Sequence, residues 1–331
     1  MCIRDSSTGA EPAAEVYFTG VGIQRDKPLS SEAQQSAPAV NSGECRCGVA
    51  GEFLESTPAD EGFSGPTDGR FPLPCCSADT LPNGFAGVFA KITQDYFQQH
   101  GDQSDALATI AAKNHRNGCA NPWAQLHKDL GFEFCRIESE KNPVVAAPLK
   151  RTDCSLVSDG AAAVVMTDEN TARDFARAAR ILASTQVNDL LPMSRRNMTF
   201  LEGWARAWRG SLAEAGMTLG DLDLVETHDC FTTAELMEYE AMGLTELGDG
   251  ARAALEGWTA KDGKLPVNPS GGLKAKGHPI GATGVSMHVL TTMQVLGEAG
   301  DMQVAGAEVA GVFNMGGTGV ANYCSIVEAM R

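Results

Sequence analysis

The residues best suited to chemistry lie in two short strings. Val267-Asn-Pro-Ser-Gly-Gly-Leu-Lys-Ala-Lys-Gly-His-Pro-Ile-Gly-Ala-Thr-Gly284 sets one histidine, His278, in a run of glycines just before an apolar-periodic segment. Glycine tolerates φ > 0 and leaves no side chain between main chain and ligand, so Ser270, Gly271 and Gly272 read as residues that a substrate could approach closely. Thr227-His228-Asp229-Cys230-Phe231-Thr232 brings a thiol and a second imidazole to a strand-to-helix junction. Imidazole exchanges protons near neutrality, and a thiolate is a strong nucleophile. Two histidines and a cysteine on separate glycine-rich or capped loops therefore point to thiol and proton-transfer chemistry on an acyl group.

Elements must hold these strings in place. Leu222–Val225 reads as a short strand leading to His228. Thr232 and Glu235 have the spacing of a capping box for a helix running to Met242. Val285, Val289, Met293 and Leu296 mark a helix after the glycine string, closed by Gly297 and Gly300. Two apolar runs, 307–313 and 320–327, read as strands joined through Met315-Gly-Gly-Thr-Gly319. Upstream, Phe85, Val88, Phe89, Ile92 and Phe97 form a helical stripe, and 105–113 gives a second, shorter one. Residues 114–130 read as a polar loop, 142–149 as an extended connector and 161–166 as a buried strand. Residues 180–187 fit another strand. Leu201, Trp204, Ala205, Trp208 and Leu212 mark a helix that Gly216 ends, its two tryptophans facing the core. Strands alternating with helices indicate an α/β layered fold.

Composition narrows the class. The chain of 331 residues is long enough for two units, and 43% hydrophobic with 21% charged residues suits a globular enzyme. A formal net charge of −16 argues against nucleic acid as a partner. No apolar run approaches the ~18 residues of a membrane span. The ten cysteines lack paired metal spacing, so no metal is expected. Reduced thiols and the lack of a secretory h-region make the cytoplasm the expected compartment. Neither dinucleotide nor P-loop glycine spacing occurs in a strand–loop–helix context. From Gln24 to Pro74 the sequence is rich in Gly, Pro, Ser and acidic residues without sustained period, so a segment without a regular core is expected there.

The Asn-Pro-Ser-Gly-Gly…Gly-His-Pro-Ile-Gly-Ala-Thr-Gly string resembles the thiolase superfamily, and His-Asp-Cys-Phe resembles its sterol-carrier-protein-x type. The resemblance covers about 76–331. It implies a thiolase fold, two packed layered α/β units with the first incomplete: 1–75 unmatched, 76–170 the remainder of the first unit with its loop region, and 171–331 the second. It implies acyl transfer between CoA thioesters, by cleavage of a 3-oxoacyl-CoA or condensation of acyl-CoAs. It implies no resident cofactor, and homo-oligomers in the intact family. His278 would activate the nucleophilic cysteine and help bind the thioester oxygen. Cys230 would be the acid/base that moves the α-proton, and His228 a candidate donor to that oxygen. Asn314 either lines the same pocket or is a turn residue; Asn114, His115 and Arg116 either contact CoA or belong to a solvated loop. Phe313 stands where most thiolases carry their second cysteine, a departure that belongs to the His-Asp-Cys-Phe subgroup.

The nucleophile stays unassigned. The family places it in a short loop of small residues before a buried helix, and residues 1–75 contain no such string. Cys45, Cys47, Cys75 and Cys76 stand in unsuitable contexts. The expectation is thus a thiolase-family acyltransferase impaired in this chain. The alternatives are a non-catalytic protein that binds acyl-CoA or a partner subunit and, less favoured because it has no need of Cys230, a decarboxylating ketoacyl synthase.

Overall fold

The computed structural model describes residues 17–24 and 83–330. Strand β1 (Tyr17–Gln24) is followed by helices α1 (Gly84–His100) and α2 (Ser104–Ala120). α1 buries Val88, Phe89 and Ile92 of the expected stripe, together with Tyr96, while Phe85 at its first turn is exposed. α2 runs well past Lys113, which corrects the expected loop from Asn114. Asn114, His115 and Asn117 are buried, and the two asparagines bond partners more than a hundred residues away. Such a face looks polar in sequence although it points inward.

Next come α3 (Gly131–Arg136), the short strands β2 (Val144–Ala146) and β3 (Leu149–Lys150), then β4 (Ala161–Thr167), α4 (Glu169–Ala172) and β5 (Ala179–Asn188). α5 (Glu202–Ala215) ends at Gly216, whose left-handed backbone, φ 67°, stops the helix where expected. β6 (Leu224–Glu226), α6 (Thr232–Ala241), α7 (Gly250–Leu255), α8 (Gly272–Ala275) and α9 (Thr283–Val295) precede the hairpin of β7 (Val309–Gly316) and β8 (Ala321–Ala329).

The main sheet has the order β4-β1-β5-β8-β7-β6. Only β6 and β7 are parallel; the other pairs are antiparallel. β4 and β5, on either side of the expected division at 170/171, share this sheet through β1. Within the unmatched residues 1–75, Tyr17–Gln24 forms a strand between β4 and β5. The coil expected for 25–74, and Cys45, Cys47, Cys75 and Cys76, lie outside the described residues.

Alternation along β7 divides core from site. Phe313 is fully buried, its ring centroid 5.9 Å from that of Trp204 and 6.1 Å from that of Trp208. These are the tryptophans of α5, in the core as their spacing predicts. Asn314 points to the opposite face, toward Gly284 at the start of α9.

Candidate active site

The parallel pair β6 and β7 places two chain segments side by side at its carboxyl end, the usual position for a site in an α/β sheet. β6 runs directly into Thr227-His228-Asp229-Cys230, and β7 delivers Asn314. His228 Nδ1 lies 2.6 Å from Asn314 Oδ1. The rings of His228 and His278 meet edge to face, centroids 5.1 Å apart at 89°. Three of the residues singled out in sequence thus converge, and Cys230 follows His228 by two positions.

The glycine string reaches this place because it is stitched to β6. Val225 N–H donates to Pro266 O at 2.9 Å, Asn268 N–H to Val225 O at 2.8 Å, and Thr227 N–H to Asn268 Oδ1 at 2.8 Å. Asp229 then accepts from the N–H groups of Leu273 and Lys274 at 2.6 and 3.2 Å. A Cβ on Gly272 would lie 2.3 Å from Asp229 Oδ2, and its φ is +59°, so only glycine fits. Ser155 N–H donates to Cys230 O, Cys154 bridges Phe231, and Val157 bridges His278. Residues 154–157 thereby clamp both strings.

These contacts reassign several residues. Ser270 is buried and bonds Glu226 through both N and Oγ; Gly271 and Gly272 are packed against Gly118 and Asp229. All three close the scaffold instead of facing a substrate. Asn114 is fully buried and its amide donates to Asp229 Oδ2 at 2.9 Å and Glu235 Oε2 at 2.6 Å, so it ties loop to helix and does not reach solvent. His115 is buried with neither ring nitrogen bonded, and Arg116 pairs with Asp129 at the surface. The expected capping box at Thr232 and Glu235 does not form. Thr232 Oγ1 donates to Asp153 Oδ1 at 3.0 Å. Glu235 turns inward to accept from Lys113 Nζ (2.6 Å), Asn114, Asn268 Nδ2 (3.0 Å) and Tyr239 Oη (2.5 Å).

Partners fix the histidine tautomers. An amide oxygen only accepts, so His228 Nδ1 carries the proton and donates to Asn314. The single hydroxyl proton of Thr283 goes to Pro279 O at 3.0 Å, so Thr283 Oγ1 accepts from His278 Nδ1 at 2.8 Å. Each neutral ring therefore keeps a lone pair on Nε2. Burial, then the neighbouring His278, depress His228 to a pKa of about 3; burial, then Lys276, depress His278 to about 4. In these tautomers the Nε2 atoms of both His278 and His228 are hydrogen-bond acceptors. Burial, then the charges of Glu238 and Asp229, raise the Cys230 thiol well above its usual value.

Sequence reading passed over Asp229, Glu235, Lys276 and Thr283 as functional positions. Lys276 is buried, with Nζ 2.9 Å from Ser286 Oγ. Spacing gave no signal for them, because each acts through a partner on another element. The other described thiols have other surroundings: Cys119 bonds His115 O, Cys154 bonds Lys150 O, Cys135 packs with α2, and Cys324 lies opposite Phe313 on β8. Among the described residues no group of three or more His, Cys, Asp or Glu could hold a metal ion.

Fold and site together define an α/β protein with a pair of histidines held by Asn314 and Thr283 at the carboxyl end of a parallel strand pair. Residues 185–329 match the thiolase C-terminal domain-like family. The acetyl-CoA acetyltransferase of Methanothermobacter thermautotrophicus is 39% identical over 71% of this chain and 61% of its own length. Human sterol carrier protein 2 is 35% identical over 69% of this chain and 42% of its own length. A chain of the Ltp2-ChsH2(DUF35) aldolase superposes with a TM-score of 0.67 at 22% identity, over 73% of this chain and 63% of that one. Residues 185–329 are thus similar to the thiolase C-terminal domain, and the fold is thiolase-like. It spans less than two thirds of the length of these relatives. Among the described residues no helix is long and apolar enough to cross a membrane.

Proposed function

We propose that the chain carries the carbon–carbon chemistry of an acyl-CoA C-acyltransferase, cleaving a 3-oxoacyl-CoA or condensing acyl-CoAs. The observation that carries this reading is the edge-to-face pair of His228 and His278, pinned by Asn314 and Thr283, with Cys230 on the same loop as His228. On this reading Cys230 moves the α-proton. His278 takes the proton of the nucleophilic thiol and then, as imidazolium, donates to the thioester oxygen; His228 holds the water that shares that oxygen's charge. The substrates are CoA thioesters, no resident cofactor takes part, and the protein works in the cytoplasm as a homo-oligomer. No string in the sequence has the context of the nucleophile, Cys45, Cys47, Cys75 and Cys76 included, so thiolysis by the chain is expected to be poor.

The test uses a half-reaction that needs no nucleophile. Incubated with acetyl-CoA in D2O, the chain should wash deuterium into the methyl group, followed by mass spectrometry, and Cys230→Ala should fall to background. A chain that binds acetyl-CoA without any exchange would instead be the binding protein of the alternative reading. Exchange that survives Cys230→Ala would remove Cys230 from the acid/base role.

A further inference from the structure

Lys276 is a buried ammonium to which the proposed chemistry gives no part. Its side chain bonds one group, Ser286 Oγ at 2.9 Å. The other lysines of the interior are compensated. Lys113 pairs with Glu235, Lys150 with Asp153, and Lys274 donates to the carbonyls of Arg151 and Cys154. Among the described residues no carboxylate forms an ion pair with Lys276. Glu226 and Asp229, the acids its charge acts on, hold other donors. Glu226 accepts from the N–H and hydroxyl of Ser270, and Asp229 from the N–H groups of Leu273 and Lys274 and the Asn114 amide. A buried charge without a counter-ion acts on its neighbours at full strength, because neither an acid nor water screens it.

That charge is anchored beside His278. Lys276 and His278, two positions apart in the glycine string, both dock on the first turn of α9, Lys276 on Ser286 and His278 Nδ1 on Thr283 Oγ1 at 2.8 Å. Residues three apart on a helix are neighbours, with about 5–6 Å between Cβ atoms, so ammonium and ring share one face of α9. The bonds that join them have a fixed direction. A lysine only donates, so Ser286 Oγ accepts from Nζ and its own proton goes to Thr283 O at 2.8 Å. The Thr283 hydroxyl donates to Pro279 O, which leaves it to accept from His278 Nδ1. We propose that Lys276 is a positioning residue for His278: held on Ser286, its unpaired ammonium keeps the ring in the neutral form, protonated on Nδ1, that presents Nε2 to the reacting groups. The inference rests on His278 as the acceptor in the proposed acyl transfer. An imidazolium would face the ammonium with no acid between them. The other groups around the ring supply none. His228 meets it edge to face and is neutral, with Nδ1–H turned to Asn314; Cys230 on the same loop is a thiol. Val157, which bridges His278, is apolar, and Asp159, which lines the same cavity as Lys276, is exposed. On α9, His288 bonds Gly284 O. The lowering of His278 by burial and then by Lys276 agrees with this arrangement.

The test reads the ring directly, with no substrate. The chain has six histidines, so the full chain labelled with 13C at histidine Cε1 gives six ring resonances, and the one lost in His278→Gln belongs to His278. The resonances are followed by NMR as the pH is lowered to about 5, where a ring of pKa about 4 is roughly one-tenth protonated. Lys276→Met keeps the length and burial of the side chain but removes the charge. It should raise the His278 midpoint by about one pH unit or more, so that about half of the ring is protonated at the same pH. Lys276→Arg, which keeps the charge, should stay near the wild-type midpoint. His288, on α9 and 2.8 Å from Gly284 O, reports any loosening of that helix and should keep its wild-type curve. Should Lys276→Met fail to fold by circular dichroism, Lys276→Gln, neutral but still a donor to Ser286, carries the same expectation. A His278 midpoint within about 0.3 pH units of wild type in the neutral variant, equal shifts in neutral and Arg variants, or His288 moving together with His278 overturns the inference. Failure here leaves the proposed acyl chemistry standing, since that is decided separately by α-proton exchange in the wild type and in Cys230→Ala.

Discussion

Each histidine of the site is pinned through Nδ1, His228 by the Asn314 oxygen and His278 by the Thr283 hydroxyl, so Nε2 is the working nitrogen of both. Both are held neutral by burial, and His278 also by Lys276. A histidine whose folded pKa is lowered from 6.5 to about 4 contributes stability that is present above pH 6.5 and lost as pH falls toward 4. Replacing His278 by Gln should therefore flatten the acid limb of unfolding. Denaturant midpoints should show wild type losing ground to the variant between pH 6.5 and 4, and parallel curves over that window would contradict the buried neutral ring. Gly272 is the other residue fixed by its surroundings. Gly272→Ala combines left-handed backbone strain with a Cβ driven into Asp229, and should cost about 2–4 kcal/mol in urea unfolding.

At the scale of elements, α6 is buried along its whole length although it carries Glu235, Glu238 and Glu240. Such a helix is stable only if its acids are satisfied or neutral. Glu235 meets the first condition: it holds Lys113 and Asn114 of α2, Asn268 of the glycine string and Tyr239 of its own helix. Lys113 is nearly buried, its side chain 10% exposed. Glu235→Ala should thus leave an uncompensated cation and destabilise by about 3–5 kcal/mol, read from chemical denaturation. A loss under about 1 kcal/mol would mean that water reaches Lys113 and that the pair behaves like a surface one. Because the same carboxyl joins α2 to the glycine string through Asn268, the variant should also lose the α-proton exchange of acetyl-CoA.

Across the whole molecule, one sheet keeps structure and chemistry on opposite sides of β7. Phe313 fills the core between Trp204 and Trp208, while Asn314 serves the site. Phe313→Ala should cost about 3–5 kcal/mol through the cavity it opens, measured as a shift of the unfolding midpoint. Thiolysis of acetoacetyl-CoA by the chain should stay near background, checked by loss of enolate absorbance. Robust turnover abolished by changing Cys45, Cys47, Cys75 or Cys76 would place the nucleophile in the residues outside the description.

The sequence by itself determined the class of the fold, the helical stripes of α1 and α5 and the hairpin at Met315–Gly319, and it singled out His228, His278 and Asn314, which the fold brings together. Those features are local: apolar period, a left-handed glycine at a helix end, and motif strings whose residue types announce proton and thiol chemistry. Tertiary structure decided what each polar residue is for. Asn114 became a tie between a loop and a helix, Ser270, Gly271 and Gly272 became scaffold, and Glu235 left its apparent cap to collect a lysine from α2. The physical reason is that hydrogen-bond partners and dielectric surroundings come from elements distant in the chain. Periodicity reports which face is apolar, whereas the buried acids of α6 and the polar inner face of α2 are legible only once their partners are in place.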